Sequence, residues 1–144
     1  MAEKLKAAPA SFVRPPGGFM VLVVDDEEAV RQLASRMLTY TGYRAMQASH
    51  AREALAALEQ DPAGIHLILT DVKMPGMNGG ELGRQVALRW PGKPVLYMSG
   101  FASEIFQGGL LDPGAPFLAK PFTVESLTGI VEHTLDVPRL TPAV

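Results

Sequence analysis

Two short apolar runs in this chain each stop at acid. Phe19-Met20-Val21-Leu22-Val23-Val24 ends at Asp25 and Asp26, and His66-Leu67-Ile68-Leu69-Thr70 ends at Asp71. Continuous apolar runs this short, set between helical segments, read as strands buried on both faces. Between them the period becomes helical. Residues 28–40 place Val30, Leu33, Ala34, Met37 and Leu38 at helical spacing, and Gly42 ends the helix. Tyr43–Ala48 is a short second strand. Ser49 is the expected cap of a helix running to Gln60, with Ala54, Leu55 and Leu58 inward. Asp61-Pro62-Ala63-Gly64 is a turn. A glycine-rich loop over 74–79 leads into a helix through Arg89 with Leu82, Val86 and Leu88 apolar. Pro91-Gly92 then turns the chain into a fourth strand, Pro94–Met98. A two-turn helix fits Ser103–Leu111, weakened by Gly108-Gly109 and ended by Pro113-Gly114. Phe117–Ala119 is a brief fifth strand. Thr123 caps a last helix carrying Val124, Leu127, Ile130, Val131 and Leu135.

Five strand–helix units predict a parallel sheet with helices on both faces, because each crossover must be right-handed. Residues 1–18, rich in Ala and Pro, read as a flexible leader or linker, and 138–144 as a tail around the single domain 19–137. In an open parallel sheet, ligands collect at the carboxyl ends of the strands. Three carboxylates brought together there repel one another unless a cation sits between them, so Asp25, Asp26 and Asp71 predict a divalent metal. Neighbouring strand residues point to opposite faces, so Asp25 and Asp26 cannot both aim at one point. One is expected to ligate directly and the other through water.

Composition narrows the alternatives. The 144 residues are 47% hydrophobic, which suits one globular domain with a real core. A net charge of -2 is no footprint for a nucleic-acid binder. With no cysteine, disulfides and thiolate chemistry are excluded, and His50, His66 and His133 lack metal-motif spacing. No apolar stretch is long enough to span a bilayer and no secretory signal opens the chain, so a cytoplasmic location is the default.

Four segments carry a family likeness. Val23-Val24-Asp25-Asp26-Glu27, the stretch Thr70–Gly79, Met98-Ser99-Gly100 and Lys120-Pro121-Phe122 resemble the receiver (CheY-like) domain of two-component response regulators. The resemblance covers residues 20–136, and each motif falls at the end of an expected strand. It implies a flavodoxin-like (βα)5 fold of strand order 2-1-3-4-5. It also implies that Asp71 is a phosphoacceptor, a carboxylate that attacks phosphorus to form an acyl phosphate. Asp25 and Asp26 resemble the acidic pair that holds Mg²⁺ (or Mn²⁺). By the same likeness Asp26 is the direct ligand and the Lys73 backbone carbonyl supplies another. Ser99 resembles the hydroxyl that binds a phosphoryl oxygen, and Lys120 the lysine that pairs with the phosphoryl group. The Lys120–Pro121 bond is cis by family likeness, which an X–Pro bond accommodates.

Other positions stay open. Phe117 stands at the family's aromatic switch position, and equally suits a core aromatic in the last strand. Glu27 is either a charge favoured by the helix dipole or a solvated one. Lys73 and Phe101, two residues after Asp71 and Ser99, are where receivers admit the hydrolytic water, so both are candidates for tuning the phosphorylated lifetime. Met74, Met77 and Trp90 read as packing residues. The implied partners are a sensor histidine kinase or a histidine phosphotransfer protein, with a weak homodimer left open. Residues 98–101 and 111–122 look most like receivers fused to hybrid sensor histidine kinases. The chain is therefore a single-domain regulator or part of such a kinase. Two rivals differ in class. A haloacid-dehalogenase-like phosphatase needs a second acid two residues after its nucleophile, where this chain has Lys73. A phosphorylation-independent interaction module is expected to lack some of the positions kept here.

Overall fold

The computed structural model describes residue 15, residues 17–100, residue 111 and residues 114–135. Most of the expected leader, the tail, Phe101 and the expected 103–111 helix up to residue 110 lie outside the described residues. The strands are β1 (Met20–Val24), β2 (Arg44–Ala48), β3 (Leu67–Asp71), β4 (Val95–Ser99) and β5 (Phe117–Ala119). The described helices are α1 (Glu28–Tyr40), α2 (Ala51–Gln60), α3 (Gly79–Arg89) and α4 (Val124–Leu135). A 3-10 turn, Pro62–Gly64, follows α2, with the Asp61 side chain accepting from the Gly64 amide. The strands form one parallel sheet in the order β2-β1-β3-β4-β5, the flavodoxin-like order that the resemblance implied.

Alternation along the strands sorts the core into two layers. Val21 and Val23 of β1, Leu67 and Leu69 of β3, and Leu96 and Met98 of β4 pack with Ala34 and Leu38 of α1 and Leu127 and Val131 of α4. Leu22, Val24 and Ile68 face the other way, onto Ala51, Ala54 and Leu58 of α2 and Leu82 and Val86 of α3. Every residue from Val21 to Val24 is fully buried, which is why β1 reads as an unbroken apolar run. β2 and β5 are the edges, and three of the five residues of β2 are exposed.

Several expectations shift. Leu33 is 47% exposed and Leu88 is 77% exposed. Helical spacing alone admitted both, but each falls at the rim of an apolar stripe that the sheet covers only along its centre. The cap of α2 is His50, not Ser49: its Nδ1 accepts from the Glu53 amide at 3.2 Å. Ser49 instead donates through its amide and hydroxyl to the Glu53 carboxylate. β3 and β4 each sit one residue later than the expected spans, so Asp71 and Ser99 are the last residues of their strands. Gly42 does close α1, with φ of 98°. Thr123 caps α4, its Oγ1 accepting from the Ser126 amide at 3.0 Å.

Candidate functional site

Register brings the acid-bearing strand ends to one edge of the sheet. Val24 pairs with Thr70, Asp71 with Met98, and Ser99 with Ala119. Asp25 therefore follows β1 beside Asp71, and Lys120 follows β5 beside Ser99, whose carbonyl accepts the Lys120 amide at 3.0 Å. Asp25 and Asp71 are buried and Asp26 is exposed, and carboxylate oxygens of all three lie within 4.8 Å of one another.

Lys120 closes the cluster. Its Nζ lies 3.0 Å from Asp25 Oδ2 and 3.0 Å from Asp71 Oδ1. Burial works against that ammonium, but the bond to Asp25 and the charge of Asp71 outweigh it and raise its pKa. The other Asp25 oxygen, Oδ1, accepts the Glu27 amide at 2.9 Å. Asp71 is less compensated. Burial, and then the charge of Asp25, push its carboxyl up to about 6, with Lys120 opposing. Three carboxylates against one ammonium leave an excess of negative charge among oxygen donors. That donor set fits a hard divalent cation.

Local sequence explains how Asp71 is presented. α3 begins with a reciprocal capping box: Asn78 Oδ1 accepts the Glu81 amide and Glu81 Oε1 accepts the Asn78 amide, both at 2.9 Å. The Gly79 amide then donates to the Val72 carbonyl at 2.8 Å. A Cβ on Gly79 would stand 2.2 Å from the Asp71 carbonyl oxygen, so the helix start can press against this strand end only as glycine. Gly79, expected as the last residue of the loop, instead opens the helix, and its closeness to Asp71 is what requires glycine. The Asn-x-x-Glu spacing was the readable signal for the box.

Of the remaining site candidates, Ser99 is buried at the end of β4, and Lys73 is exposed beyond the buried Val72. Phe117 pairs in register with Tyr97 and joins Val72, Leu111 and Ala115 in a small apolar cluster. Glu27 is the exposed N-cap residue of α1, and its side chain makes no capping bond. The Lys120–Pro121 bond is cis. Met74 is buried and Met77 and Trp90 are partly buried against the α2–α3 layer, as packing residues. Sequence reasoning missed Gly83, where a Cβ would collide with the Tyr97 hydroxyl at 1.9 Å. No local pattern signals a glycine whose reason is a ring on another strand.

This fold and strand-end cluster define a receiver. The sequence profile of the response regulator receiver domain matches residues 21–132, and the chain belongs to that family. It is 34% identical over 121 residues to the sensor kinase CckA of Brucella abortus (strain 2308), covering 83% of this chain and 13% of that protein. It is 32% identical over 140 residues to the two-component response regulator ORR27 of Oryza sativa subsp. japonica, covering 94% of this chain and 22% of that one. The crystal structure of the receiver domain from the hybrid histidine kinase CckA superposes with a TM-score of 0.68 at 33% identity, covering 81% of this chain and 98% of the other. The chain thus spans less than a quarter of either curated relative. Among the described residues, no helix is long and apolar enough to cross a membrane.

Proposed function

We propose that residues 19–137 form a phosphoacceptor receiver that takes a phosphoryl group from a phosphohistidine onto Asp71. The observation that carries the reading is Lys120 Nζ at 3.0 Å from both Asp25 and Asp71, in a cluster of three carboxylates at the strand ends. An Asp71 oxygen attacks phosphorus, the P–N bond to the donor imidazole breaks, and that imidazole leaves with the bond's electron pair. Asp25, Asp26, Asp71 and the Lys73 carbonyl are the residues that would hold Mg²⁺ or Mn²⁺. When bound, the ion neutralises charge on the phosphoryl oxygens. Lys120 supplies a mobile cation that exchanges Asp71 for the phosphoryl oxygens, and Ser99 donates its hydroxyl to one of them.

The product adds a charge of about -1.5 to -2 at one strand end. Ser99 and Lys120 follow it, and Phe117, two residues before the end of the described apolar cluster's strand, shifts its packing. A pre-existing equilibrium between two surfaces is thereby biased. Lys73 and Phe101 set how easily water reaches the acyl phosphate. The donor is a sensor histidine kinase or a histidine phosphotransfer protein, in the cytoplasm. The likeness to the CckA receiver supports a place within a hybrid kinase, and the likeness to a response regulator supports a regulator. Direct nucleic-acid binding and membrane insertion form no part of this reading.

Intact mass after incubation with Mg²⁺ and acetyl phosphate tests it. The expected result is one phosphoryl adduct, dependent on Mg²⁺ and lost in Asp71→Asn. A wild type that takes no phosphoryl group from this donor or from a phosphorylated histidine kinase would favour the phosphorylation-independent interaction module.

A further inference from the structure

We propose that Arg31 is a positioning residue for the acidic cluster, fixing the Asp25–Asp26 peptide so that the exposed Asp26 carboxylate stays aimed at Asp25 and Asp71. This rests on the reading of those carboxylates as a divalent-metal site. Asp25 is held at each of its polar atoms. Its amide donates to the Ala48 carbonyl at 3.2 Å, its Oδ1 accepts from Glu27 and its Oδ2 from Lys120. The remaining atom, the backbone carbonyl oxygen, accepts Arg31 Nη1 at 2.9 Å.

The same guanidinium is anchored elsewhere. Arg31 Nε donates to Gln47 Oε1 at 3.2 Å, and Gln47 is the β2 residue next to Ala48. Two neighbours on the edge strand therefore grip Asp25 from both sides, Ala48 directly and Gln47 through Arg31. Arg31 itself is fixed in α1, its amide bonded to the Glu27 carbonyl at 3.1 Å and its carbonyl accepting the Ser35 hydroxyl at 2.8 Å. A planar fork suits this two-point bridge, and an ammonium does not. The Asp25 carbonyl and the Asp26 amide share one rigid peptide plane. Asp26 is exposed, so the Cα from which its carboxylate projects is placed by that plane rather than by packing around the side chain.

The sign of the effect separates positioning from charge. A guanidinium beside a cation site repels the cation, so charge alone predicts tighter Mg²⁺ binding when Arg31 is removed. Loss of positioning predicts weaker binding. The test is the Mg²⁺ dissociation constant of the full chain by isothermal titration calorimetry, alongside metal-free melting curves. Arg31→Ala is expected to weaken Mg²⁺ binding about tenfold, the lower end for residues that orient metal ligands. Arg31→Lys, which keeps the charge and loses the bridge, is expected to fall on the same side. Gln47→Ala removes only an exposed anchor, leaves folding intact, and should weaken binding in the same direction. Unchanged or tighter binding in Arg31→Ala, or in Gln47→Ala if Arg31→Ala does not fold, overturns the inference. In that case the metal-site reading stands, because wild type binds. A wild type that takes up no Mg²⁺ overturns both.

Discussion

The two ends of the sheet handle polar groups in opposite ways. At the carboxyl end, Asp25 and Asp71 converge on one ammonium with the Asp26 carboxylate close by, and the Asp71 carboxyl is pushed up to about 6 by burial and then by Asp25. At the amino end, polar side chains are used up by backbone. His66 Nδ1 accepts the Met20 amide at 2.9 Å, while the His66 amide donates to the Met20 carbonyl at 2.9 Å. Its ring meets Phe19 edge-on with centroids 5.5 Å apart. Lys93 Nζ donates to the carbonyls of Pro62 and Ile65. Burial, with Lys93 and Arg44 adding to it, lowers the His66 pKa, and burial lowers that of Lys93 against the pull of Asp61. One end satisfies its donors and acceptors internally. The other keeps more carboxylate than counter-charge, and an end left in that state is the one built to receive a ligand.

The strongest way to break this contrast is steric. Gly79→Ala drives a Cβ into the Asp71 carbonyl, a backbone atom that cannot swing aside. It is expected to cost about 3 kcal/mol in urea unfolding, whereas Gly92→Ala near the amino end meets no atom within 4 Å and bears only its φ of 90°. A Gly79→Ala protein as stable as Gly92→Ala would refute the close approach. Lys120→Met comes next. It leaves the buried Asp25 and Asp71 carboxylates without their ammonium, and about 2 kcal/mol should be lost without metal. Added Mg²⁺ should return a large part of that, read as a rise in melting temperature greater than wild type shows.

Asp71→Asn should act in the other direction. Burial and the charge of Asp25 push the native carboxyl up to about 6 from its ordinary 3.8. The folded state thus holds more protons than the unfolded one between those values, and stability falls as pH rises through that window. Asn imitates the neutral form. Metal-free Asp71→Asn is therefore expected to match wild type near pH 4 and exceed it by about 1–2 kcal/mol above pH 6, after discounting for solvent that still reaches the group. An equal gain at both pH values would refute the burial cost.

The smallest effect belongs to the amino end and has the opposite pH sign. His66 is held below its ordinary 6.5, so the unfolded state binds the proton first, and stability is lost as pH falls below 6.5. His66→Phe removes the acceptor for the Met20 amide at a cost of about 1 kcal/mol at pH 8. It should also flatten the fall in stability on the acid side. A variant that keeps the wild-type acid slope would show that the slope arises elsewhere.

Much of this architecture was readable in one dimension. A strand buried on both faces must be an unbroken apolar run, so Val21–Val24 and Leu67–Leu69 announced themselves, as did the acids that end them. The β5 span and the Thr123 cap also read directly, because a cap is a local hydrogen bond. Leu33 and Leu88 misled because period alone does not say how wide a stripe the sheet will cover. Ser49 misled because a histidine beside it can also accept an amide proton.

The chain's pattern alone determined the order of strands and described helices and the strand ends that carry acid, since these follow from local period. Only the tertiary structure decided which distant groups meet. Lys120 lies 95 residues from Asp25 and is bonded to it because β1, β3, β4 and β5 stack in parallel register. At Gly79 and Gly83 of α3, the Asp71 backbone carbonyl of β3 and the Tyr97 hydroxyl of β4 occupy the space a side chain needs. Arg31 reaches the Asp25 carbonyl because α1 packs back over the edge strand. Contacts of that kind depend on the three-dimensional path of the chain, which no local spacing encodes.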